Sequence, residues 1–440
     1  MKQKIDFKSI VAIFATSTLF ACTQDVMDSL STQTESNAEP MKELSKHRTY
    51  EEALTVAQEA IGMLGESCVT RSGKPRTVST DDVQYIVNTS STRSNGEPDT
   101  LMYVFNYEDN AGFAVVSANR ATEDLIAVTE QGNYVAGEET GNGGFDLYMD
   151  MAEEYVMRAF EPIPPIGGGG DDDGQIQLAQ TKTEQTRTVI NWRTPLIDVK
   201  WGQKDPYNIY CLNASNNTID AGCLVTAVAQ VLSYYKYPSS IKLDFDDYNT
   251  TLSLDWNAIN THVKSDCSST CTASHDVIGK VFRQIGEELG IKYKEGSSGN
   301  DGSKIRSTFS TLGYKTDSKQ EYNFSKITES LSSHRPVYIT AYLKNSNTGH
   351  AWLIDGFKTV RTTTTDYIKY INSLVWEVIR EYSFITDYNH FNWGWNGSYN
   401  GYFSSGVFNP SQGYQYDESY GPSNLSFDDR MFIYTNIRKQ

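Results

Sequence analysis

The chain has little cysteine, little positive charge and no long apolar run. Six cysteines occur in 440 residues, too few for the disulfide scaffold that stabilises small secreted domains. Lys and Arg number 38 against 55 Asp and Glu, giving a formal net charge of −17. This charge argues against nucleic acid as a partner, because phosphate binding needs a basic surface. The remaining composition, with 38% hydrophobic residues, is typical of packed globular domains.

The first residues have the organisation of a signal peptide. Lys2 and Lys4 precede an apolar run over residues 10–21, in the order found in exported proteins. The run is too short to span a bilayer as a stable helix. The sequence therefore predicts export, with residues 1–21 as the signal peptide.

The apolar run ends in Leu-Phe-Ala-Cys, which resembles a bacterial lipobox. By that resemblance Cys22 is lipidated, becomes the first residue after cleavage, and anchors the precursor at the outer membrane or cell surface. The alternative is an ordinary signal peptide that happens to end near a cysteine. Residues 22–46 are polar, and we expect them to form a flexible tether.

Residues 47–160 have the pattern of a small α+β domain. Thr49 and Glu52 form a capping-box pattern ahead of apolar residues at helical spacing. Three strand-like runs follow, at residues 101–106, 113–117 and 125–129. A turn over residues 109–112 joins the first two runs, and a second helix is predicted over residues 145–160.

A change in composition marks a domain boundary. Prolines, then glycines, then aspartates fill residues 162–173, a stretch that cannot pack a core. We predict a linker over residues 161–188, with Lys182 and Arg187 exposed to proteases and available for maturation cleavage.

Residues 189–440 form the second predicted domain. Helical patterns come first and strand patterns follow from about residue 337 onward, which favours an α+β fold with a mostly antiparallel sheet.

Cys223 is the strongest candidate for chemistry in this domain. It follows Gly222 and begins a helix rich in small residues. Unpaired N–H groups and the helix dipole favour a thiolate at such a position. Alone, a cysteine at a helix start is more often simply buried.

Four other residues complete a candidate site. His350 lies on a predicted strand and could take the thiol proton, and Asn392 could orient its imidazole. Trp393 would shield that hydrogen bond, and Gln203 could donate to an oxyanion together with the Cys223 N–H. His390 competes with His350 for the role of base. This chemistry needs no metal or organic cofactor.

Cys267 and Cys271 are spaced for a local disulfide. No second cysteine pair stands at zinc-finger spacing, so a zinc site is not predicted. Cys68 and Cys211 are expected to be buried thiols.

Several motifs together resemble the streptopain family of cysteine peptidases. They are Trp-Gly-Gln at 201–203, Ala-Gly-Cys at 221–223, Gly-His-Ala-Trp at 349–352, Asn-Trp-Gly-Trp at 392–395 and Asn-Gly-Tyr-Phe at 400–403. Residues 48–53 and 112–118 are similar to that family's propeptide. Asn396 departs from the pattern, since a glycine is common there. The long stretch over residues 359–386 and the loop over residues 296–302 also depart, and they bear on specificity more than on chemistry.

The resemblance implies a papain-like catalytic domain at residues 189–440 and an inhibitory propeptide at residues 47–160. It implies Cys223 and His350 as the catalytic pair, with Gln203 in the oxyanion hole. Protein or peptide substrates with a bulky apolar residue two positions before the cut are expected, and the propeptide is expected to act as an intramolecular inhibitor. Two alternatives remain open: a cell-wall amidase or transamidating enzyme with the same chemistry, and a surface binding or inhibitor protein without activity.

Overall fold

The computed structural model describes residues 47–68, 73–92, 98–159, 179–263, 271–294, 297–299, 302–342, 349–370, 373–408 and 431–440. Within these residues the helices are α1 (Tyr50–Ala60), α2 (Gly143–Ala159), α3 (Cys223–Tyr235), α4 (Trp256–His262), α5 (Thr272–Leu289), α6 (Ile305–Thr311) and α7 (Phe324–Ser332). None of the helices in this part of the chain is long and apolar enough to cross a bilayer.

The strands are β1 (Val78–Thr92), β2 (Pro98–Tyr107), β3 (Phe113–Ser117), β4 (Leu125–Thr129), β5 (Ala179–Arg193), β6 (Ser240–Phe245), β7 (Tyr248–Ser253), β8 (Lys292–Lys294), β9 (Ser297–Gly299), β10 (Tyr314–Lys315), β11 (Gln320–Glu321), β12 (Val337–Tyr342), β13 (Gly349–Tyr370), β14 (Glu377–Asn392), β15 (Gly401–Ser404), β16 (Met431–Tyr434) and β17 (Arg438–Lys439). All the pairings between them are antiparallel, so the predicted α+β class with an antiparallel sheet is confirmed.

The N-terminal domain is a four-stranded sheet with a helix on each face. Met102 and Val104 on β2 pack in the cluster that contains α2, whereas Tyr103 and Phe105 pack in the cluster that contains α1. Side chains alternate between the faces of a strand, so an uninterrupted apolar run on β2 serves both helices.

The predicted start of α1 is confirmed. The Glu52 N–H donates to Thr49 Oγ1 at 3.3 Å, and the Thr49 N–H donates to Glu52 Oε2 at 2.8 Å. These bonds satisfy N–H groups that a helix start leaves free. The three predicted strands and the turn between the first two are also confirmed.

The sheet of the C-terminal domain lies between helices. Tyr338, Ala351 and Leu353 pack with α3 and α5 in one cluster, while Trp352 and Ile354 pack on the opposite face with α2 and α7. The helix α2 of the N-terminal domain therefore covers part of the second domain's sheet.

One sheet runs through both domains. Among the described residues it has eleven strands in the order β1-β2-β3-β4-β15-β14-β13-β12-β16-β11, with β5 pairing to β13. The two domains join where β4 pairs with β15, with Thr129 opposite Gly401 and Ala127 opposite Phe403. We call this junction the strand seam.

The predicted linker is wrong at its C-terminal end. Residues 179–188 belong to β5, whose backbone pairs with β13 along its length. Arg187 is ion-paired with Glu59 and Asp124, and Lys182 lies 2.6 Å from Glu184. Threonines on both strands favour this pairing, and the contacts that hold β5 come from parts of the chain distant in sequence. The part of the predicted linker before residue 179 lies outside the described residues, as do the signal peptide, the tether and Cys22.

Candidate active site

Cys223 is the first residue of α3, as predicted. Gly222 before it has φ of 96°, a conformation that favours glycine. Burial raises the pKa of the Cys223 thiol, and backbone N–H groups of Ala351, Leu224 and Cys223 itself oppose that rise only in part. The His350 imidazole is not among the groups that lower it. This shift favours the protonated thiol, and part of the Cys223 side chain is accessible to solvent.

The Trp-Gly-Gln loop is held against α3 by buried polar groups. The Trp201 N–H donates to Gln230 Oε1 at 3.3 Å, and Thr226 Oγ1 donates to the Gly202 carbonyl at 3.3 Å. The Ala221 N–H donates to the Gln203 carbonyl at 2.8 Å. Gln203 is thereby tied to the turn that carries Cys223.

Thr226 and Gln230 were given no role by sequence reasoning. Both are fully buried on a mostly apolar helix, and they lie four residues apart on one face. Two buried polar side chains at that spacing were the available signal. The Asn396 N–H adds a bond of 3.1 Å to the Trp201 carbonyl. Asn396 has φ of 54°, which glycine prefers and asparagine tolerates, so its departure from the family pattern is accommodated.

His350 contacts the N-terminal domain. It is on β13, two residues before Trp352 and on the same face, toward α2. A Cβ atom added to Gly143 would lie closer than 3.0 Å to the His350 ring, so α2 begins in direct contact with the imidazole. Burial lowers the pKa of His350, with Asp146 on α2 opposing. Both members of the predicted catalytic pair are thus neutral in this state.

Asn392 and Trp393 are buried beside the site but do not orient His350. Asn392 Nδ2 donates to the Val199 carbonyl at 3.1 Å, and its Oδ1 accepts the Gly394 N–H at 3.2 Å. In this state Asn392 makes these bonds in place of the expected bond to the His350 imidazole. Trp393 packs against Trp352 with ring centroids 4.9 Å apart.

The start of α2 is adapted to close approach. A Cβ atom added to Gly144 would lie 2.8 Å from the Trp393 ring, just as one added to Gly143 would collide with the His350 ring. Asn142 Oδ1 caps the helix by accepting the Phe145 N–H at 3.3 Å. We call the packing of Gly143 and Gly144 on His350 and Trp393 the helix contact. Sequence reasoning gave no role to these glycines, and only the assembled structure identifies their partners.

His390 is excluded as the base by its partners. Its Nδ1 lies 2.6 Å from Asp355 Oδ1 and its Nε2 lies 3.4 Å from Glu130 Oε1. Burial disfavours the imidazolium, but the two carboxylates outweigh it and raise the pKa of His390 to about 9. Both ring nitrogens are engaged by carboxylates, so neither is free to take a thiol proton.

Glu130 belongs to the N-terminal domain and follows the strand seam. Burial opposes its charge, but His390 and Lys200 lower the pKa of Glu130 to about 2. Lys200 Nζ lies 2.9 Å from Glu130 Oε2. Glu123 joins the domains further along, where Ser404 Oγ and Tyr155 Oη donate to it. Burial raises the pKa of Glu123.

The other cysteines and possible metal ligands add little to the site. Cys211 is a free buried thiol as predicted, and Cys271 is disulfide-bonded. Cys267 lies outside the described residues, and the structure gives no account of the Cys68 side chain. In the part of the chain described, no group of three His, Cys, Asp or Glu side chains could hold a metal ion.

Comparison with known proteins gives two family matches. Residues 201–403 match the Peptidase C10 family and residues 38–156 match the Spi protease inhibitor family. Streptopain of Streptococcus pyogenes is 24% identical over 347 residues, covering 70% of this chain and 75% of streptopain. Thiol protease/hemagglutinin PrtT of Porphyromonas gingivalis is 21% identical over 346 residues, covering 71% of this chain but only 34% of PrtT. A Prevotella intermedia prointerpain A fragment has the same fold, with a TM-score of 0.50 at 19% identity, covering 80% of this chain and 97% of that one.

Proposed function

We propose that the chain is a cysteine peptidase of the streptopain family with an inhibitor-like N-terminal domain, made as the inactive precursor of an exported endopeptidase. The observation that carries the proposal is the helix contact. The N-terminal domain touches His350 and Trp393 directly, while Cys223 and the Gln203 loop are already assembled next to them. A domain placed there blocks the base and leaves the nucleophile intact.

The proposed chemistry is hydrolysis of a peptide bond through a thioester. The Cys223 thiolate attacks the carbonyl carbon, and the oxyanion is held by the Cys223 N–H and the Gln203 side chain. His350 gives its proton to the leaving amine as the C–N bond breaks. It then takes a proton from water, whose oxygen attacks the thioester and releases the acid and the thiol.

Activation requires a change of charge at the site. Burial keeps Cys223 protonated and His350 neutral in the precursor. Once α2 leaves, the imidazole can turn toward the sulfur, and an adjacent imidazolium lowers a thiol pKa. Asn392 would then exchange its bond to Val199 for one to His350. Removal of the N-terminal domain is thus proposed to create the ion pair rather than merely uncover it.

Substrate and location follow from resemblance. A preference for a bulky apolar residue two positions before the cut is proposed because the site motifs are streptopain-like. Anchoring through a lipid on Cys22 at the outer membrane or cell surface is proposed from the lipobox pattern. Cleavage between the domains would then release the catalytic domain from the anchor, provided that the strand seam also separates.

The test compares the purified unlipidated precursor with its Cys223→Ala variant in reducing buffer. Intact mass and casein cleavage are followed over time. Parallel samples receive limited trypsin, which is blocked with a serine-protease inhibitor before casein is added, because trypsin itself cuts casein. The parent is expected to shorten and to cut casein, with or without trypsin, whereas the variant does neither without trypsin and stays inactive when trypsin shortens it. Equal casein cleavage by the variant would show that Cys223 is not the nucleophile. A trypsin-shortened parent that is inactive on casein but hydrolyses peptidoglycan fragments would favour the amidase alternative.

A further inference from the structure

Strand β5 carries a further contact between the domains, and it lies outside both family matches. It falls between the inhibitor match, which ends at residue 156, and the peptidase match, which begins at residue 201. Its backbone pairs with β13, from Ala179 opposite Tyr370 to Arg193 opposite Phe357. By its backbone pairing, β5 therefore belongs with the catalytic domain.

The side chain of Arg187 on β5 contacts the N-terminal domain. Its guanidinium forms one ion pair with Glu59 near the end of α1 and another with Asp124 just before β4. Only 14% of the Arg187 side chain and 6% of the Asp124 side chain are exposed. Removing the arginine would leave a buried carboxylate without this partner, which is costly. We call Arg187, Glu59 and Asp124 the arginine latch.

The arginine latch lies far from the catalytic pair. Arg187 is opposite Thr362 on β13, and Val360 on the same face of that strand packs in the cluster that contains α1. Thr362 follows His350 by twelve residues, roughly 40 Å along the strand at about 3.3 Å per residue. The latch can therefore hold the N-terminal domain without touching the groups that carry out the chemistry.

The position of Arg187 along the chain determines what a cleavage can do. A cut before Ala179 separates the chain into two polypeptides, but Arg187 stays in β5 and β5 stays paired with β13. The N-terminal fragment then keeps its ion pairs to Arg187, and α2 keeps its contact with His350. Cutting the chain and releasing the inhibitor are therefore different events.

We propose that the arginine latch retains the N-terminal domain as a bound inhibitor after the first cut, so that maturation has two stages. This rests on the precursor function proposed above and adds the contact that delays release. The first stage is hydrolysis of one peptide bond before β5, and it leaves the site blocked. The second is hydrolysis after Arg193, where Thr194 is exposed, and it detaches the strand that carries Arg187.

The test measures how long the N-terminal fragment stays bound after one defined cut. A recognition site for a sequence-specific protease is inserted between Gly170 and Asp171 of the full, unlipidated chain in the Cys223→Ala background, which is held by a C-terminal affinity tag. A denaturing gel confirms complete cutting, and the N-terminal fragment in the wash is then measured over time. The parent should retain the fragment. Arg187→Gln should release it about a hundredfold faster, because loss of a buried partner shortens the lifetime of a complex.

Two further variants separate the arginine latch from the rest of β5. The Glu59 side chain is 40% exposed, so Glu59→Gln should speed release only severalfold. Arg193→Gln is the matched control, because Arg193 lies on the same strand but contacts Ser332 and His334 of the catalytic domain. It should release the fragment at the parent rate. Thermal unfolding of the uncut chains checks that each variant folds.

Three outcomes would overturn the proposal. They are immediate release of the fragment from the parent, retention by Arg187→Gln for as long as by the parent, and equal acceleration by Arg193→Gln, which would assign retention to the pairing of β5 instead. None of them bears on the peptidase function, because the chain used here lacks Cys223 and casein cleavage tests that function separately.

Discussion

Two of the contacts between the domains differ in chemistry. The strand seam joins them by backbone hydrogen bonds and by buried charges, with Glu130 against His390 and Lys200. The helix contact joins them by close packing alone, with Gly143 and Gly144 against His350 and Trp393. The seam supplies many bonds away from the catalytic pair, and the helix contact supplies few bonds directly on it. The strand seam therefore fixes the N-terminal domain in place, whereas the helix contact inhibits the active site. Different substitutions should affect these two functions.

The largest effect is expected at the seam from Glu130→Gln. Removing one charge of a buried ion pair leaves the other charge uncompensated. Because His390 stays paired with Asp355, the loss of seam stability should lie near the lower end of the usual range, at about 3 kcal/mol. In the Cys223→Ala background, the amides of β15 should exchange with solvent roughly a hundredfold faster. Hydrogen-exchange mass spectrometry measures this.

Glu138→Gln is the control for the seam, because Glu138 is an exposed acid of the same domain. It should leave β15 exchange as in the parent. If Glu130→Gln and Glu138→Gln give the same exchange rates, the buried charges do not hold the domains together.

The second effect concerns the helix contact. A methyl group at Gly143 would collide with the His350 ring, and overpacking of this kind costs about 1–3 kcal/mol. In the otherwise unchanged precursor, Gly143→Ala should therefore raise the rate of Cys223 labelling by an epoxide inhibitor about tenfold. Exchange of the β15 amides should stay near the parent value.

Gly62→Ala is the matched control, since nothing lies within 4 Å of the added methyl group. Faster β15 exchange in Gly143→Ala would mean that the two contacts form one cooperative unit, and the separation of tasks would fail.

A smaller effect at the seam is expected from pH. The pKa of His390 is raised from 6.5 to about 9, so its contribution is complete below pH 6.5 and is lost as pH rises toward 9. The pKa of Glu130 is lowered from 4.5 to about 2, so its contribution is complete above pH 4.5 and is lost as pH falls toward 2. The pKa of Glu123 is also raised, so its contribution to the stability of the seam, like that of His390, is lost as pH rises.

The seam should thus loosen as pH rises above about 4.5, and near pH 9 it should open about tenfold more often than near pH 5. After correction for the intrinsic exchange rate, β15 amide exchange in the parent should rise across that alkaline range. Glu130→Gln should flatten the dependence, and an equally steep profile in that variant would assign it to other groups.

The smallest effect is expected from Lys200→Ala. The Lys200 side chain is 43% exposed, and exposed ion pairs contribute about 0–1 kcal/mol. Exchange of β15 amides should therefore rise only severalfold, far less than in Glu130→Gln. A rise in exchange as large as that of Glu130→Gln would show that Lys200, and not His390, is the main partner of Glu130 at the seam.

The sequence predicted what local patterns and motifs carry. The capping box at Thr49, the start of α3 at Cys223 and the strands of the N-terminal domain all depend on residues close together in the chain. The streptopain resemblance agrees with the Peptidase C10 match over residues 201–403 because its motifs are short and contiguous. The catalytic roles of Cys223, His350, Asn392, Trp393 and Gln203 remain predictions for the active form.

What the sequence did not predict depends on contacts between distant segments. Residues 179–188 are polar and rich in threonine, and only pairing with β13 makes them a strand. The orientation of His350 depends on Gly143, more than 200 residues earlier in the chain. His390 could not be distinguished from His350 by spacing, and its exclusion came from Asp355 and Glu130.

The position of β5 bears on the kinetics of maturation. From His350, α2 carries the chain roughly 25 Å to Ala159. Ala179 pairs with Tyr370, at the other end of β13, roughly 60 Å from His350 along the strand. The residues between Ala159 and Ala179 span at most roughly 70 Å, less than the two distances added together, so they are too short to return to Cys223 while both ends stay in place. The first cleavage should therefore be intermolecular, with one molecule cutting another. The lag before activity should then shorten as the precursor concentration rises. A lag independent of concentration would indicate cleavage within one molecule.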